Sequence, residues 1–103
     1  MATIEGKQVV FRDKLPPALV WSILPAVYRV KTGDNIYEKI PFDKAVLMVQ
    51  CVVESWGFEG DPHTDEWYNA LTEHSLANVF MPLVAAAYSQ LVVRINEEPG
   101  LGE

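Results

Sequence analysis

Residues 41–56 constrain the fold of this 103-residue chain more than any other segment. Pro41-Phe42-Asp43 offers a helix start, and Ala45, Val46, Leu47, Met48, Val49, Cys51, Val52, Val53 and Trp56 that follow are all apolar. At the helical angle of about 100° per residue, the polar members Lys44, Gln50, Glu54 and Ser55 fall in one stripe. A helix apolar over most of its circumference must be enclosed by the rest of a small domain. The rival is a buried strand, because Val46–Val53 is rich in β-branched residues. Segment length and the single-sided polar stripe favour a central helix running from about Phe42 to Trp56.

The segments on either side are read the same way. Gln8-Val9-Val10-Phe11 is β-branched and apolar, with Gly6 offering a turn before it, so residues 1–12 read as a short strand or hairpin whose partner strand is not evident. Asp13 is placed to cap a first helix, with Pro16-Pro17 in its opening turn. Leu19, Val20, Ile23, Leu24, Val27 and Tyr28 repeat at helical spacing, and Pro25 among them is expected to kink or end that helix. Thr32-Gly33-Asp34-Asn35 reads as a loop. Two glycines and a proline break the chain over Gly57–Pro62. Thr64 or Asp65 then caps a short helix, and a last helix starts near His74-Ser75. Leu76, Val79, Phe80, Leu83, Val84, Ala87, Leu91 and Ile95 mark its buried face, with a kink or two abutting helices expected at Pro82. The expectation is a single, mainly α domain over residues 1–103. It has about four helices, a short N-terminal β-strand or hairpin over 1–12, a helical core over 13–96 and a frayed tail over 97–103.

Charge narrows the function classes. The formal net charge is −6, and no Lys or Arg stands between Lys44 and Arg94, whereas Glu54, Glu59, Asp61, Asp65, Glu66 and Glu73 do. Phosphate binding requires clustered cations, so nucleic acid is an unsuitable partner. Membrane binding is not expected either, since no uninterrupted apolar run reaches the roughly 20 residues of a spanning helix. The single cysteine, Cys51, lies in an apolar run and reads as a small buried hydrophobe in a reducing compartment. Glu5, Asp13 and three prolines spoil any signal-peptide pattern at the N-terminus, so a cytoplasmic, non-secreted protein is expected.

No catalytic constellation is legible. His63 and His74 have no partnered nucleophile, there is no Gly-x-Ser-x-Gly elbow, and no glycine-rich loop has phosphate-binding spacing. Enzyme activity and cofactors are therefore not expected. Asp61, His63 and Asp65 alternate beside Glu59 and Glu66, but they lack the glycine and the distal Glu of a calcium loop and the His or Cys count of a zinc site. They read as a solvated, helix-capping acidic loop, and no metal is assigned. Trp56, Phe58, Trp67 and Tyr68 straddle that loop. Trp56 and Trp67 read mainly as core. Phe58, Glu59, Asp61, Asp65, Glu66 and Tyr68 are the partner-binding candidates.

The order Ser55-Trp56-Gly57-Phe58-Glu59-Gly60-Asp61-Pro62, then Asn69-Ala70-Leu71, then Phe80-Met81-Pro82-Leu83-Val84 resembles the tail assembly chaperones of long-tailed bacteriophages. Val9-Val10-Phe11-Arg12-Asp13 before a Leu-Pro and a helix is similar too. The resemblance implies a mostly helical, non-catalytic protein of the infected cell's cytoplasm. Such a protein binds and solubilises the tape measure protein, helps recruit tail tube subunits and is absent from the finished virion. The charge asymmetry adds an expectation of homo-oligomers, with Lys7, Arg12, Lys14 and Arg29 facing Glu59, Asp61, Asp65 and Glu66 of the next copy. The competing classes are an acidic interaction module, inhibitor or DNA mimic, and a minor structural tail subunit.

Overall fold

The computed structural model describes residues 2–97. It opens with a hairpin, β1 (Ala2–Ile4) and β2 (Lys7–Phe11), joined through Glu5 and Gly6 with φ of 52° and 75°. Positive φ at both central residues gives the turn the twist that a two-residue hairpin needs. Helix α1 spans Pro17–Tyr28, α2 Ile36–Lys39 and α3 Phe42–Val52. Strand β3 (Val53–Trp56) follows α3 without a connecting loop. Helices α4 (Asp65–Asn69) and α5 (Glu73–Ser75) are short, and a π-helical segment (Leu76–Phe80) leads into α6 (Met81–Glu97).

The mainly α fold is corrected to a mixed α/β domain. A three-stranded antiparallel sheet, in the order β1-β2-β3, packs with the helices. The decisive segment is 53–56, expected to be the end of the central helix. Its backbone pairs with β2 in the register Val9↔Trp56, Val10↔Ser55 and Phe11↔Val53, with an irregularity between Val10 and Phe11. The pairing extends past both ends of β3, since Arg12 N–H donates to the Val52 carbonyl at 2.8 Å and Gly57 N–H to the Gln8 carbonyl at 2.9 Å. A two-stranded hairpin is marginal alone and leaves one side of β2 without partners. Four residues cost α3 little more than one turn of helix, and they complete that ladder. Val9 and Val53 meet in the core beneath it.

One core serves sheet and helices alike. It joins Ile4, Val9 and Val53 to Ile23 and Val27 of α1, Met48, Val49 and Val52 of α3, and Leu83, Val84, Ala87 and Leu91 of α6. Pro25 does not end α1, which continues to Tyr28. Pro25 and Trp21, whose carbonyl lacks a Pro25 N–H as its helical partner, are both exposed residues. Asp13 is not the cap. Helix α1 begins after Pro16 with no side-chain cap, and the Asp13 carbonyl instead accepts from Arg94 Nη1 at 2.6 Å. Near Pro82 the expected irregularity takes the form of the π-helical segment that directly precedes α6. The chain makes a wide turn in which Met81 N–H donates to the Leu76 carbonyl. The helical stretch therefore runs on from Glu73 to Asn96, which by length and composition alone suffices to cross a membrane. Its buried stripe is that of a core helix. Glu97 is the last residue of α6, and the remainder of the expected frayed tail lies outside the described residues.

Candidate functional site

The chain after β3 folds back on itself as a braced bend. Trp56 Nε1–H donates to the Gly60 carbonyl at 2.9 Å, and the Tyr68 hydroxyl donates to the Pro62 carbonyl at 2.7 Å. His63 Nε2 lies 2.8 Å from the Val53 carbonyl, so that nitrogen carries the proton and donates. Asp61 Oδ1 accepts from the His63 backbone N–H at 2.8 Å, and the Asp61 carbonyl from the Thr64 hydroxyl at 3.2 Å. Gly60 makes the reversal possible. Its φ is +105°, and a Cβ there would stand 3.0 Å from Trp67 Cδ1.

Within the bend the aromatic rings form a chain. Trp56 contacts Phe58 edge-on at 5.4 Å and Trp67 at 4.5 Å, and Trp67 contacts Tyr68 edge-on at 5.0 Å. Tyr68 reaches Phe80 at 5.9 Å, and Phe80 reaches Phe42 at 5.3 Å. Edge-on and tilted pairs at these separations are the favoured aromatic geometry.

The partner-binding candidates divide into two groups. Glu59, Asp61, Asp65 and Glu66 are exposed, as expected. Phe58 is half-buried against Trp56 and Trp67. Tyr68 is a correction, being only 3% exposed and packed among Trp67, Phe80 and Trp56. Burial, reinforced by the Asp61 and Asp65 carboxylates, pushes its hydroxyl well above the usual phenol range. It is a neutral brace for the bend and not the exposed contact residue expected from the sequence. Trp56 and Trp67 are half-buried.

Of the basic candidates, Lys7, Lys14 and Arg29 are exposed. Arg12 is half-buried, with Nη2 at 3.5 Å from the Gln50 carbonyl and Nε enclosed without a partner, so it belongs to the fold's interior side. Cys51 is buried, and burial raises its thiol from 9.0 to about 11 even though Arg12 and Arg94 act the other way. Among the described residues, no three His, Cys, Asp or Glu side chains are grouped to hold a metal ion. In the same residues His63 Nδ1 lies 3.3 Å from Asp61 Oδ1, an ion pair only with a protonated ring, and no carboxylate is paired with Lys or Arg.

Sequence reasoning missed two surface features. The first is the outer face of α1, where Trp21 is 79% and Tyr28 68% exposed. Their seven-residue spacing puts both on one helical face, but spacing alone does not say that this face meets water. The second is a cleft of about 370 Å³ between α3 and α4. It is formed by residues far apart in the chain and had no sequence signal.

Comparison of the chain with protein-family models, curated proteins and solved structures returns no match.

Proposed function

We propose that this protein is a non-catalytic assembly chaperone of the phage tail type. It binds the tape measure protein, keeps it soluble and helps bring in tail tube subunits, working in the host cytoplasm and leaving before the particle is complete. The observation that carries the reading is the outer face of α1. A folded domain with a closed core leaves Trp21 and Tyr28 in water two turns apart, with Pro17 and Pro25 between and beside them. Tyr28 also borders a shallow cleft of about 180 Å³ toward Tyr88, Val92 and Ile95 of α6. Two exposed aromatics on one helical face, with an apolar cleft beside the second, make the kind of surface that marks an interaction site. It suits a partner whose own apolar stripe would aggregate uncovered. Unpaired exposed carboxylates on one part of the surface and exposed Lys7, Lys14 and Arg29 elsewhere add a means of stacking copies along a long partner.

The test is co-expression with a tape measure protein. Trp21→Ser with Tyr28→Ser should leave melting within about 0.5 kcal/mol of the parent per site, as for other exposed positions. Soluble recovery of the tape measure protein should fall severalfold. Recovery that is equal with and without the chaperone would end this reading. Mass spectrometry of purified particles should find the protein missing. A pull-down dominated by a nuclease or polymerase would favour the acidic-inhibitor class.

A further inference from the structure

We propose that the cleft between α3 and α4 is a docking groove for a cationic amphipathic helix of a partner protein. The groove is a second surface, apart from the outer face of α1, and the inference goes beyond the chaperone reading by naming the chemistry that the groove would take. The groove lies between α3 and α4, where the exposed Phe42 ring, half-buried Leu47 and the largely covered Val46 and Tyr68 form an apolar floor and exposed Asp43 and Asp65 line its margin. The lining contains no Lys or Arg. From Phe42 to Gln50 the floor extends about 12 Å at the helical rise, or roughly two turns.

Three observations select the occupant. The first is charge. Among the described residues no carboxylate is neutralised by Lys or Arg within the domain, so the field of Asp43 and Asp65 is open to an incoming cation. The second is backbone chemistry. Both sides of the groove are helical, and the sheet, ordered β1-β2-β3, contributes nothing to its lining. No strand edge is offered there, so an extended peptide would find no ladder for its N–H and C=O groups. A helix brings those groups already paired and binds by side chains alone.

The third is the rim. The exposed Phe42 ring packs 5.3 Å from Phe80, whose chain neighbour Met81 is itself exposed and accepts through its carbonyl from the exposed Tyr37 hydroxyl at 3.2 Å. Met and aromatic side chains adapt to helices of varied shape. The margin is also set in place. Gln50, the one buried polar side chain among the described residues, donates from Nε2 to Asp65 Oδ1 at 3.2 Å and holds that carboxylate at the cleft.

The probes are two synthetic helical peptides of about 18 residues, five turns. Both carry Leu and Phe on one face. One carries Lys on the other face, and its counterpart carries Glu. Labelled-peptide anisotropy at low and high salt gives affinity, and amide shifts of the labelled domain give location. The Lys peptide should bind at least about tenfold more tightly than the Glu peptide at low salt, with the difference shrinking as salt rises. Shifts should centre on residues 42–50 and 65–69.

Asp43→Lys with Asp65→Asn should abolish the preference while melting stays close to the parent, since the amide oxygen introduced by Asp65→Asn still accepts from Gln50. Phe42→Ser, at an exposed site, should weaken both peptides. Equal affinity for the two peptides, shifts centred on α1, or a dimer in sedimentation that Asp43→Lys dissociates and that excludes the Lys peptide would each overturn the proposal. The last of these would make a second copy the occupant. The two readings fail separately. If the Lys peptide binds the groove but the tape measure protein is never solubilised, the chaperone function falls and the groove stands. If solubilisation survives the Asp43 and Asp65 changes and the peptides are not distinguished, the groove falls and the chaperone stands.

Discussion

Gly60 bears the tightest local constraint in the bend. It holds φ at +105° with the Trp67 indole 3.0 Å from where a Cβ would sit. Gly60→Ala therefore meets both backbone strain and a ring that is itself packed against Trp56. The expected cost is about 1–3 kcal/mol, seen as a lower thermal midpoint by circular dichroism. A midpoint equal to the parent's would mean the bend is looser than its bracing implies.

Cys51 gives a pH-dependent expectation at the same scale. Burial raises its thiol from 9.0 to about 11, so between those values the unfolded chain has lost a proton that the folded chain keeps. Fewer protons bound in the unfolded state mean that stability falls as pH rises through that window, after being fully present below pH 9.0. Urea midpoints at pH 8 and pH 10.5 check the sign, and Cys51→Ala should flatten that part of the curve. Tyr68, also raised by burial, adds a loss of the same sign at more alkaline pH.

The elements depend on one another across the chain, most plainly where β3 completes the hairpin. Deleting residues 1–12 removes Ile4 and Val9 from the core and strips β3 of its partner strand. The expected outcome is loss of cooperative unfolding, measured by circular dichroism and calorimetry. A helical domain with an extended appendage would instead melt cooperatively after the same deletion. Val49→Asp should also abolish folding, because an unpaired charge at that fully buried point of α3 costs several kcal/mol.

The start of α3 was legible in Pro41-Phe42-Asp43 and its apolar run, and the hairpin in Gly6 with the β-branched residues after it. The end of α3 was not. Val52-Val53 suits a helix or a strand, and the choice rests on backbone groups of Lys7–Phe11, remote in sequence. The same limit explains Tyr68. Its spacing in a short helix says nothing of Phe80, which arrives from the π-helical segment to cover it.

The whole molecule carries a net charge of −6, with no Lys or Arg paired to a carboxylate among the described residues. Salt then has self-repulsion to screen and few attractive pairs to weaken. Raising sodium chloride should lift the thermal midpoint by about 2–4 °C, which is roughly 0.5 kcal/mol for a domain of this size. Sedimentation at low and high salt addresses the stacking of copies. Oligomers held by Lys7, Lys14 and Arg29 against Glu59, Asp61 and Glu66 of a neighbour should shrink as salt rises. Oligomers that persist would move the contact to the apolar face of α1.

By itself the sequence determined the quantities that composition and short-range spacing control. These are an apolar share large enough for one core, a short strand or hairpin at the start, a nearly all-apolar helix from Phe42, breaks at Gly57–Pro62, and acids segregated from bases. Tertiary structure alone decided which backbone groups paired over distance and which side chains were covered. It turned Val53–Trp56 into a strand, closed Tyr68 beneath the bend, left Trp21 and Tyr28 outside, and opened a groove between two helices. Periodicity reports which residues share a face. Whether that face meets water or another element depends on partners that only the folded chain brings within reach.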